Sequence, residues 1–115
     1  MNIQIYFQKK NFDVQKAERY FKERRIAYTL VDLSRHKLGL REIRLFAQQI
    51  GIRSLVDTEG KLYKTHYIRN LTGEGPIMDA LVETPALMKT PIVRNGQRVT
   101  QGYCPDVWQT WQDEG

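Results

Sequence analysis

Cysteine occurs once in the chain, at Cys104. No internal disulfide can form, and a cysteine-based structural zinc site is ruled out. Histidine occurs twice, at His36 and His66. Neither has a cysteine or carboxylate at ligand spacing, so no metal site is expected and both read as surface or locally satisfied side chains. No apolar run approaches the roughly 20 residues that a membrane helix requires. The first residues also lack the charged, apolar and small-residue regions of a secretory signal. A cytoplasmic protein of bacterial type, without membrane contact, is therefore expected. Internal repeats, low-complexity tracts and linkers are absent as well.

What is present is ordinary for a soluble globular chain: 115 residues, 41% hydrophobic and 27% charged. That length suits one domain with one core, because two pieces would each be small for burying apolar surface. The formal charge of +5 is unevenly spread. Residues 1–69 carry 15 of the 18 Lys and Arg against 7 acids, and residues 70–115 carry 3 against 6. A basic front half attracts anions, nucleic acid among them. The plainer reading is a solvated helix face, since Arg19, Lys22, Arg24 and Arg25 fall where an amphipathic helix needs polar cover.

Along the chain, Ile3, Ile5 and Phe7 alternate with Asn2, Gln4 and Tyr6, the period of a strand. Residues 8–12 break that period and form a basic loop, after which Asp13 suits a helix N-cap. Val14, Ala17, Tyr20 and Phe21 give residues 13–25 one apolar stripe. Residues 26–33, IAYTLVDL, predict a second strand, and strand, helix and strand make a parallel βαβ unit. Leu40, Ile43, Ala47 and Ile50 predict a second helix that Gly51 ends. Residues 52–70 read as two short helices, Gly73, Gly75 and Pro76 as a break, and residues 77–82 as a further short helix. Pro91, Ile92 and Val93 begin a third strand, Asn95 and Gly96 signal a two-residue hairpin, and residues 98–101 form a fourth strand. Pro105 opens a last helix, packed by Val107, Trp108 and Trp111. This order predicts an α/β, thioredoxin-like fold: a mixed four-stranded sheet, βαβ then ββα, with its core at about residues 1–33 and 90–115. A helical insertion occupies about residues 34–89.

Three stretches carry a resemblance across nearly the whole chain: IYFQKKNFDVQKA at residues 5–17, LMKTPIVRNGQRV at 87–99 and QGYCPD at 101–106. Together they resemble the arsenate reductase and Spx family, the ArsC-like proteins. The resemblance implies a nucleophilic cysteine in the loop after the first strand, where a helix dipole and nearby donors lower its pKa. That position is Asn11 here. Spx-like members carry a second cysteine three residues on, which is Val14 here. The arginine that precedes the family's proline falls on Thr90. Pro91 matches, and the resemblance implies that its peptide bond is cis and that Thr90 lies beside the Asn11 loop.

With no thiol in the loop, the degenerate site at Asn11, Val14 and Thr90 is expected to be non-catalytic. The chain then reads as a thioredoxin-fold protein that binds a protein partner, in the manner of a regulator, and needs no cofactor. Two alternatives stay open. One is a thiol-dependent oxidoreductase working through Cys104 at the head of the last helix, for which glutathione is the implied co-reductant. The other is a nucleic-acid binder using the basic half. Lys9, Lys10, Asn11, Phe12, Thr90 and Pro91 are the candidates for holding an anion or ligand.

Overall fold

The computed structural model describes residues 1–114 and divides into two compact units, residues 1–32 with 90–115 and residues 33–89. The first unit is built on strand β1 (Ile3–Phe7), helix α1 (Phe12–Glu23), strand β2 (Tyr28–Asp32), strands β3 (Ile92–Asn95) and β4 (Arg98–Gln101), and a last helix at Pro105–Glu114. The sheet order is β2-β1-β3-β4. β1 pairs parallel with β2, Ile5 opposite Leu30, and antiparallel with β3, Ile5 opposite Val93. The βαβ unit and the antiparallel hairpin expected from sequence are both present.

Alternation along β1 places Ile3 and Ile5 on the face that meets α1 and the last helix, where they join Ala17, Tyr20, Phe21, Val93, Trp108 and Trp111 in one cluster. Tyr6, on the opposite side of the strand, is buried as well, so β1 is covered on both faces as a central strand should be. Trp108 is the hub of the cluster. Its ring lies 5.0 Å from Phe21, 5.2 Å from Tyr20 and 5.6 Å from Tyr103, the last two edge-on. Its buried Nε1 donates to Thr100 Oγ1 at 2.9 Å, which satisfies the one polar atom of the indole. Val107, expected on the same packing face, is instead 42% exposed. It lies one residue from Trp108, and a helix turns about 100° per residue.

The hairpin turn sits one residue later than Asn95 and Gly96 suggested. Asn95 pairs with Arg98, which leaves Gly96 and Gln97 as the two turn residues. Gly96 has φ +62° and Gln97 is not left-handed, the pattern of a type II′ turn with glycine first. Asn95 instead closes the strand.

The second unit holds helices α2 (Leu40–Ile50), α3 (Ile52–Leu55), α4 (Lys61–Thr65) and α5 (Glu74–Glu83), with 3-10 turns at Tyr67–Asn70 and Pro85–Leu87. The last helix of the chain is therefore α6. In α2 the buried residues are Ile43 and Phe46, while Leu40 is half exposed, so the inward face is rotated from the Leu40, Ile43, Ala47, Ile50 stripe. α5 begins earlier than residue 77. Gly75 and Pro76 lie inside its first turn, where an N–H has no helical partner and proline is harmless. An isolated bridge between Val56 and Met88 ties the middle of the unit to its end. No helix among the described residues is long and apolar enough to cross a membrane.

Candidate functional site

β1 delivers the chain into residues 8–11, and α1 starts at Phe12. The N-cap of α1 is Asn11, not Asp13. Asn11 has extended backbone, and its Oδ1 accepts from Val14 N at 2.9 Å, taking up one of the free N–H groups at the helix head. Asp13 sits one residue inside the helix, where its carboxylate complements the dipole without capping it. The other end of the Asn11 amide reaches across the sheet: Nδ2 donates to Thr90 O at 3.4 Å.

Thr90 precedes a cis peptide bond to Pro91. Pro91 O in turn accepts from Gly102 N at 2.9 Å. Gly102 has φ +79°, a conformation that favours glycine, and a Cβ there would stand 4.0 Å from Asp13 Oδ2. Lys16 extends over the ring of Tyr103 at 5.7 Å. Three stretches far apart in sequence, residues 11–16, 90–91 and 102–104, thus meet at one corner of the sheet. Val14 is not part of the open surface there; it is fully buried on the inner face of α1.

The basic residues of the loop do not form a cup. Lys10 Nζ turns along α1 to Glu18 Oε2 at 3.3 Å, and Glu18 Oε1 also accepts from Tyr28 OH at 3.1 Å. Lys9 is exposed, and Phe12 projects into solvent at 80% exposure. Gln8, missed in the sequence reading, buries its Nε2 with no hydrogen-bond partner among the described residues. Only its place immediately after the strand, as an uncharged side chain ahead of two lysines, hinted at an inward amide.

Cys104 lies at the head of α6, half-buried against the aromatic cluster, with Sγ donating to Gln101 O at 3.2 Å. Burial pushes its thiol pKa up from 9.0, and Asp13 adds to the rise, while contacts with Thr100 and Gln101 pull the other way. The rise wins. The helix-head activation imagined for this thiol is outweighed by loss of water, and the neutral thiol is the form present at pH 7.

His66 Nδ1 accepts from Ile68 N at 3.0 Å and its ring stacks on Tyr67 at 4.3 Å, so it caps the 3-10 turn. His36 is exposed. No group of three His, Cys, Asp or Glu among the described residues is arranged to hold a metal ion.

A family model for the ArsC family matches residues 6–111. Among solved structures, an arsenate reductase from Vibrio cholerae superposes with TM-score 0.81 at 20% identity, over 96% of this chain and 97% of that one. An arsenate reductase (ArsC) related protein from Brucella melitensis superposes with TM-score 0.69 at 18% identity, over 97% and 95%. A search of curated proteins gives no match. Likeness at this identity speaks for the fold, and the fold is thioredoxin-like. The family match spans the sheet, the site loop and the helical unit alike, and the chain belongs to the ArsC family.

Proposed function

We propose that this chain is a non-catalytic ArsC-family protein, which uses its thioredoxin-like unit to bind a protein partner and acts as a regulator rather than a reductase. One observation carries the reading. Asn11 stands where the resemblance puts the nucleophilic thiol, and both ends of its amide are engaged, Oδ1 by Val14 N and Nδ2 by Thr90 O. The N–H group at the helix head that would stabilise a thiolate is already capped. The position of the second cysteine is filled by Val14 as a core residue, and Thr90 offers no cation.

The remaining chemistry supports the same reading. Cys104 is held as a neutral thiol by burial, so it is a poor nucleophile at neutral pH. The basic excess of residues 1–69 is not gathered on one unit: residues 1–32 with 90–115 hold 9 Lys and Arg against 7 acids, and residues 33–89 hold 9 against 6. That balance favours a protein partner over a nucleic acid, whose binding draws on concentrated positive charge. Phe12, exposed beside Lys9 and Lys10, suits a partner that presents an apolar side chain flanked by acids.

Two measurements test the proposal together. Arsenate reduction coupled to glutathione or thioredoxin should not exceed the protein-free rate; turnover that disappears in Cys104→Ser would instead establish the oxidoreductase. A photo-crosslinker at Lys9 should capture one protein reproducibly, and Phe12→Ala should abolish the capture. Capture that survives Phe12→Ala and Lys10→Glu would overturn the assigned surface.

A further inference from the structure

The helical unit contains a cleft of about 560 Å³ that the thioredoxin-like site does not involve. Ile52, Val56 and Ile68 form its buried floor. Tyr63, Leu71 and Ile77 are half-buried and wall it. Exposed polar groups make the rim: Arg53 from α3, Arg69 from the 3-10 turn, Thr58, Thr72 and Glu74. Arg69 is oriented by donating from Nη1 to Lys64 O at 2.5 Å, and no described carboxylate pairs with either arginine. The rim also includes the start of α5, whose N-cap residue Gly73 supplies no side-chain cap. The volume is that of a small-molecule pocket, and an apolar interior with a few polar groups at its edge is the usual form of such sites.

We infer that this cleft binds a small organic anion, a carboxylate or phosphate monoester carried on an apolar body. Two guanidinium groups from separate elements outweigh the one carboxylate at the rim. Guanidinium groups recognise carboxylate and phosphate oxygens in pairs of parallel hydrogen bonds. The floor offers no polar partner, so an inorganic anion leaves it uncovered, and an apolar body covers it. Glu74 disfavours a second negative charge and accepts from a hydroxyl or amine on the ligand. The inference is independent of the role proposed for the Asn11 corner.

Titration of the isotopically labelled full chain, followed by amide NMR, tests it with four probes: phenyl phosphate, benzoate, inorganic phosphate and benzyl alcohol. Phenyl phosphate or benzoate should shift amides at residues 52–56 and 68–77 saturably, and which binds tighter identifies the head group. Inorganic phosphate and benzyl alcohol should each bind about tenfold more weakly, since one lacks the body and the other the charge. Arg53→Gln should weaken the better anion by about tenfold, as loss of a charge-assisted hydrogen bond does. Glu74→Gln should tighten it, and Lys10→Gln should leave it unchanged. Absence of saturable shifts with both aromatic anions would overturn the inference. Benzyl alcohol binding as well as the anions, or affinity unchanged in both Arg53→Gln and Arg69→Gln, would do the same. Because both arginines are exposed, retained amide dispersion separates lost binding from lost fold.

Discussion

At the residue scale, Asn11 is a structural tie between the head of α1 and the backbone before the cis proline. Its cap on Val14 N is worth about 1 kcal/mol by the usual cost of removing such a side chain. Asn11→Ala should therefore lower the urea-unfolding free energy by about that amount. Asn11→Asp keeps the capping oxygen and adds a charge favourable to the dipole, and should lose less. Equal losses in the two variants would mean that the tie to Thr90 O, not the cap, is the important half. Gln8 makes the opposite case. Its buried Nε2 lacks a partner among the described residues, and an unmet buried donor costs about 1–3 kcal/mol. Gln8→Met keeps the length, removes the donor and should raise the unfolding midpoint; a lower midpoint would show that the amide is used.

At the element scale, α1 ends in a Schellman motif. Ile26 N donates to Phe21 O at 2.9 Å and Arg25 N to Lys22 O at 3.1 Å, with Ile26 packed against the core cluster. The residue that must turn left-handed is Arg25, at φ +56°, where a side chain costs about 1–2 kcal/mol. Arg25→Gly relieves that cost and loses part of the gain to the greater freedom of glycine in the unfolded chain. The net should be a stabilisation of up to about 1 kcal/mol, read from urea unfolding monitored by the two tryptophans; a destabilised variant would show that Arg25 makes a contact worth more than the strain. The same element shows how far local sequence reaches. The stripe of Val14, Ala17, Tyr20 and Phe21 was legible because all four lie on the buried side of the helix. Its first residue was not, because Asn11 and Asp13 are both good caps and only the end of β1 decides between them. Residues 52–70 read as two short helices but form three one-turn pieces, since one-turn helices have no periodic stripe and exist by tertiary packing.

At the scale of the whole molecule, the alkaline limb of stability should reflect the first unit. Burial is the main cause that raises Tyr20, Tyr28 and the Cys104 thiol above their ordinary values of 10.0, 10.0 and 9.0. Each group is more easily ionised unfolded than folded. The stabilisation they carry is therefore complete below pH 9.0 and is lost as pH rises through the folded-state values. The urea midpoint should hold steady up to pH 9.0 and fall above it, less steeply in Cys104→Ser. A midpoint that stays level well beyond pH 10.0 would contradict the burial of these groups. The division of the chain also redistributes its charge. Residues 90–115 return to the first unit, so the basic front half of the sequence does not become a basic half of the protein.

What the sequence by itself determined is the order of strands and helices in the first unit, the packing face of Trp108 and Trp111 on the last helix and the absence of a thiol from the loop after β1. Each is written in local period or residue identity, which chain folding cannot change. Only the tertiary structure decided that Asn11, Thr90 and Gly102 share a corner, that Cys104 is buried rather than activated, and that Arg53 and Arg69 rim one cleft. Those facts depend on residues brought together across long stretches of chain and on the water removed around them. Neither quantity has a local signature.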